Sequence, residues 1–284
     1  MTITPLQAIE LYPLLNLQFP PHVEDEQSEI ITRLLIQYQI PQDYAQYLQI
    51  LLDKGVLGPQ AQKEGWDNIG EHCIFAFRMG QVLCELSEMG PQETEDLCSE
   101  ILLHDADIRN RKELPENNMS CSNTPEGLQF MNTTQTYYMT EEKSHEGIAH
   151  VTSMDWLGWE SWTLAEQVMR YVDSCVGPLT RQSRDVIMHW SIRIWNLALS
   201  KQEMDQEYGQ MLYPEYLFQN DGEEPRPSAF AYLMEVVMPG IEQSLFDAIG
   251  KANPSIVLDR QATDLFDIIC KKLKLKFANF VEKS

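Results

Sequence analysis

Apolar residues recur every three to four positions along most of this chain, in runs broken by proline, glycine or polar stretches. Ile30, Ile31, Leu34, Leu35 and Tyr38 mark one helical face that Pro41 stops, and Tyr44, Tyr47, Leu48, Leu51 and Leu52 mark a second that Gly55 ends. A helix from Asp67, as N-cap, through Glu88 puts His72 on the same face as Ala76, Met79 and Leu83. The next opens with the acids Glu93, Glu95 and Asp96, which suit a helix N-terminus, and its stripe of Leu97 and Ile101 leads to His104. Trp162, Ala165, Met169 and Asp173 share another face, so a carboxylate closes an apolar stripe, and Gly177-Pro178 ends that helix. Val186, Ile187, Trp190, Ile194 and Leu197 predict a long helix carrying a structural His189. Phe230, Leu233, Val237, Ile241, Leu245 and Ile249 predict helices interrupted at Pro239-Gly240, and Leu265, Ile269, Leu273, Phe277 and Phe280 a final one.

No stretch alternates convincingly with the period of two that a half-buried strand requires, so the expected fold is an all-α bundle. Prolines at 5, 13, 20 and 21 limit the first 26 residues to a short helix around Leu6 to Leu15. Residues 115–136 are polar and aperiodic, which suits a lid or binding loop, and Asn220 to Pro227 is the clearest linker. This divides the chain into N-terminal scaffold helices (1–59), a core (60–200) and a C-terminal helical extension packed on it (201–284).

Composition narrows the partners. A chain of 284 residues, 43% hydrophobic, can bury a substantial core. Its net charge of −22 opposes binding to a phosphate backbone, so nucleic acid is not an expected partner and a small substrate is. The lysines at 271, 272, 274 and 276 complement a helix C-terminus rather than a membrane, and no apolar run reaches the roughly 18 residues of a spanning helix. The six cysteines show no C-x-x-C spacing, and Cys73, Cys84 and Cys98 lie in the helices just described, where cysteine behaves as a small hydrophobe. A reducing, cytoplasmic setting is the expectation, and a homodimer is compatible with it.

The chemistry lies where polar residues close apolar stripes. His72, the adjacent pair His104-Asp105 and Asp173 face inward from three helices, and a buried carboxylate must be paired, protonated or bound to a cation. Two imidazoles and two carboxylates suit a divalent metal with open positions, with Mn, Fe, Co, Ni or Zn favoured over Ca.

The pattern resembles the HD-domain superfamily of metal-dependent phosphohydrolases, whose ligands run H…HD…D on a helical bundle. Glu71-His72 is similar to the first ligand helix of that family, Leu102-Leu103-His104-Asp105 to its signature, and Tyr171-Val172-Asp173-Ser174 to its closing segment, over roughly residues 60 to 180. The resemblance implies a phosphohydrolase acting on a small phosphorylated substrate such as a nucleotide, with a divalent metal, Mg included. His72, His104, Asp105 and Asp173 would be its ligands. Many members follow the pair with Gly-Lys or Ser-Glu, whereas this chain reads Ala106-Asp107-Ile108-Arg109, which leaves Asp107 as the nearest acid to orient or protonate beside Asp105. Arg109 and Arg111, in the densest basic cluster of the first half, are the candidates to hold phosphate.

Two other readings start from the same residues. Some members of that superfamily add two histidines before the last aspartate to hold a second metal, as di-iron oxygenases do, and His145 and His150 occupy that interval. Their i, i+5 spacing, with Gly147 between, does not place both on one helix face, which favours one metal. The third reading is a non-catalytic helical interaction protein with a relic site.

Overall fold

The computed structural model describes residues 24–53, 57, 62–63, 67–104, 106, 156–175, 199–219, 222, 224–254, 265, 268–269 and 272–273. Helix occupies 76% of them, which makes the described protein all-α. None of the described helices is long and apolar enough to cross a membrane.

Helix α1 (Glu24–Gln37) ends in a left-handed turn at Gln39 and meets Pro41, after which a short 3-10 turn (Gln42–Tyr44) leads into α2 (Ala45–Asp53). The expected helix from Asp67 begins two residues later, as α3 (Ile69–Leu86). Asp67 and Asn68 instead pair antiparallel with Lys63 and Gln62, forming the bridge β1 (Gln62–Lys63) and β2 (Asp67–Asn68). From Cys73 to Leu86 only Glu85 is exposed, so α3 is the central helix, apolar on almost its whole circumference.

Helix α4 (Pro91–Leu103) starts with Pro91 at its first position, where a missing amide proton costs nothing, and carries Glu93 in the first turn. It packs intimately on α3, and a Cβ on Gly80 would lie 2.6 Å from the Ile101 side chain. Helix α5 (Leu164–Cys175) is started by a capping box: the Thr163 amide donates to Glu166 Oε2 at 2.6 Å, and the Glu166 amide donates to Thr163 Oγ1 at 3.3 Å. It packs against α3 and α4.

The C-terminal part holds α6 (Leu199–Leu212), the bridge of β3 (Leu217–Phe218) with β4 (Arg226–Pro227), α7 (Ala229–Tyr232) and α8 (Met238–Ala252). Buried Asp205 of α6 accepts from Ser228 Oγ and the Phe230 amide, which fixes the Ser228 cap of α7. Pro239-Gly240 does not interrupt the helix as the sequence suggested. A π turn over Leu233–Val237 joins α7 to α8, Pro239 sits in the first turn of α8 where its missing donor is tolerated, and a Cβ on Gly240 would overlap the Trp159 ring. Tyr232 stacks on Tyr213 with centroids 4.2 Å apart, and the Tyr213 hydroxyl accepts from the Trp156 amide at 2.7 Å. Helix α8 closes the bundle against α5 and α3, with the Tyr171 hydroxyl donating to buried Glu242.

Candidate metal centre

The α3–α4 hairpin brings His72 and His104 together although they are 32 residues apart. His72 lies in the first turns of α3, and His104 is the C-cap of α4, held in helical geometry (φ −57°, ψ −29°). Their rings are tilted by 57°, and both side chains are buried. The Nε2 atoms are 3.0 Å apart. Asp173, near the end of α5, places Oδ1 3.4 Å from His72 Nε2 and 3.3 Å from His104 Nε2. Its side chain keeps 18% of its surface exposed.

One neighbour fixes the chemistry of this triangle. His104 Nδ1 lies 2.6 Å from the Ile101 carbonyl oxygen, which can only accept, so Nδ1 carries a proton. In the neutral ring Nε2 is then a bare lone pair, and it faces a carboxylate oxygen that is also an acceptor. Such a contact needs a cation between the atoms or an extra proton on the imidazole.

The size of the triangle fits a metal. Its sides of 3.0, 3.3 and 3.4 Å put the centre about 1.9 Å from every donor, close to the ~2.0–2.2 Å of first-row metal bonds to imidazole and carboxylate. His72, His104 and Asp173 thus form a group that could hold a metal ion.

Arg170 supports the carboxylate from behind. Buried at 6% exposure, it donates from Nη2 to Asp173 Oδ2 at 2.8 Å and from Nε to Ser174 Oγ at 2.9 Å. Burial pushes the Asp173 carboxyl up, yet the Arg170 guanidinium and the His104 and His72 rings together hold it well below the usual carboxylate range. Asp173 is therefore the ionised ligand such a site requires.

Of the residues singled out in the sequence, His72, His104 and Asp173 converge. Asp105, Asp107, Arg109, Arg111, His145, His150 and His189 lie outside the described residues; Ala106, between two of them, is buried and its amide donates to the Leu103 carbonyl. Arg170 was not recognised from sequence, although an arginine one helical turn before the ligand, at i−3, is the signal that marks it. Comparison with protein-family models, curated proteins and solved structures finds no match to this chain.

Proposed function

We propose that this protein is a metal-dependent phosphohydrolase acting on a small phosphate ester, with one divalent ion per chain. The observation that supports it is the triangle of His72 Nε2, His104 Nε2 and Asp173 Oδ1, contributed in chain order by three packed helices. Asp105, adjacent to His104, is the fourth ligand in this reading. A divalent ion bound there supplies Lewis acidity toward water and a phosphoryl oxygen.

The chain's own residues do the rest. Ile101 holds the His104 tautomer through its carbonyl, and Arg170 fixes the rotamer of Asp173, so both ligands are aimed before any ion arrives. Arg109 and Arg111 hold the phosphate as bidentate guanidinium donors, and Asp107 orients or protonates. Arg109→Ala and Arg111→Ala should raise KM more than they lower kcat, because these contacts exist before and during the reaction.

The test is release of inorganic phosphate from a panel of phosphomonoesters and nucleotides with Mn, Co, Ni or Mg, alongside metal analysis of the protein purified without chelator. Metal-dependent release that disappears in His104→Ala supports the reading. No phosphate from any ester with any metal would overturn it. Two irons per chain, one of them lost in His145→Ala or His150→Ala, would replace it with the oxygenase reading.

A further inference from the structure

A second cluster of unused chemistry lies elsewhere on the same hairpin. Cys84 of α3 and Cys98 of α4 are buried free thiols, 2% and 0% exposed, and near enough for each to act on the other. The Cys84 thiol also lies 3.6 Å from Met89 Sδ. Thr94 and Tyr44 add hydroxyl contacts to Cys84 and Cys98 respectively. Cys84, Met89 and Thr94 line a cavity of about 480 Å³, which gives Cys84 and Met89 an approach from outside.

Arg78 lines the same cavity, and its charge lacks a contact partner. It is 5% exposed, and its hydrogen bonds go to the Gln39 carbonyl at 3.0 Å and the Gln81 amide oxygen at 2.5 Å, both neutral. Its Nε is buried without a hydrogen bond. Among the described residues no carboxylate is in ion-pair contact with it: Glu85, the nearby acid, is largely exposed and pairs with Lys272. Burial works against the guanidinium charge, but arginine does not give up its proton, so a buried arginine calls for an anion. Glu85 and Glu88 also line the cavity but are exposed, so the buried groups beside Arg78 that can become anionic are the thiols, and Cys98 acts on it electrostatically ahead of Glu85.

We propose that Cys84, Cys98 and Met89 form a three-sulfur site for a soft monovalent cation of the Cu(I) type, with Arg78 as its counter-charge. Two thiolates and a thioether select soft ions over the harder ones that suit the imidazole–carboxylate triangle. Binding displaces both thiol protons to solvent, and the resulting complex of two thiolates with one monovalent ion carries a single negative charge, which Arg78 balances. The neighbouring Cys98 thiol already draws the Cys84 thiol below its ordinary value despite burial, and Thr94 adds to this, so Cys84 is the first of the two to ionise. The Cys84 contact and then burial push Cys98 up, so its proton leaves only as the ion enters.

The experiment is an anaerobic titration of the full chain with Cu(I) against a competing chelator, with folding of each variant checked by its thermal transition. One equivalent per chain should resist the chelator. Cys84→Ser and Cys98→Ser should each weaken binding by at least ~100-fold and Met89→Leu by ~10-fold, the range over which losing even an outer partner acts. Cys270→Ser should change nothing. X-ray absorption of the wild-type complex, which needs no variant to fold, should show sulfur neighbours only. Copper held equally by the serine variants, full affinity in Met89→Leu, or nitrogen and oxygen neighbours around the ion would each overturn the assignment.

Discussion

Asp173→Asn separates the metal reading from a purely structural one, because it removes the charge of the ligand while keeping its shape. Without metal, the substitution leaves Arg170 buried against a neutral amide. Breaking a buried ion pair from one side costs ~3–5 kcal/mol, and since Asp173 is partly exposed the cost here is discounted to ~2 kcal/mol. At ~2 °C per kcal/mol for a chain of this length, the metal-free Tm falls by ~4 °C. With metal, the two proteins diverge further. An ion present at 100 times its Kd stabilises the wild type by ~2.7 kcal/mol, or ~5 °C. Losing the carboxylate ligand weakens binding by at least ~100-fold, and at the same metal concentration the variant gains only ~0.4 kcal/mol, under ~1 °C. The assay is thermal unfolding of both proteins with and without Mn(II), joined by the double variant Asp173→Asn/Arg170→Met. That double variant should recover metal-free stability relative to Asp173→Asn and recover none of the response to metal. An Asn variant that gains as much from Mn(II) as the wild type, or that matches its metal-free stability, would refute the account of this centre.

Because the Asp173 carboxyl is held well below 3.8, its contribution to metal-free stability is fully present above that value and lost as pH falls below it, so the gap in Tm between wild type and Asp173→Asn should close on acidification below pH 3.8. Gly209→Ala, whose Cβ would lie 2.5 Å from the Ser228 amide nitrogen and 2.7 Å from the Pro227 carbonyl carbon, should lose ~1–3 kcal/mol in chemical denaturation, since backbone must move to admit it. Gly250→Ala, in α8 with nothing near its Cβ, should instead gain ~0.5–1 kcal/mol in the same measurement.

Much of the candidate metal centre was legible because its residues interrupt apolar periodicity. His72 shares the face of Ala76, Met79 and Leu83, and Asp173 closes the stripe of Trp162, Ala165 and Met169, so the facing of each follows from spacing alone. What spacing does not carry is what lies behind a ligand. That Ile101 lends its carbonyl to His104 and Arg170 its guanidinium to Asp173 depends on where α4 stops and on which rotamer packing leaves open. The three cysteines on these helices were read as small hydrophobes, and all three are indeed buried. The contact between Cys84 and Cys98 is set by the register of α3 on α4 at Gly80 and Ile101, which no one-helix pattern contains. Pro239-Gly240 misled for a related reason: proline breaks a helix in its interior, and the π turn makes this proline part of a first turn.

That π turn also sets the rotational phase of α8. Leu233, Val237, Ile241, Leu245 and Ile249 are all buried at intervals of four, and in a straight helix of about 3.6 residues per turn each such step drifts by roughly 40°. Four steps would carry the stripe nearly halfway round the axis. A turn that takes an extra residue returns part of that rotation, at the end where Leu233 and Val237 enter the bundle. Were the turn to tighten to an α-helix with every residue kept, the surplus residue would no longer be absorbed and everything beyond it would swing round the axis by tens of degrees. Glu242 would leave Tyr171, and the helix that carries Asp173 would lose its brace. The alignment of α8 on the helix of the candidate metal ligand therefore depends on one surplus residue about two turns upstream.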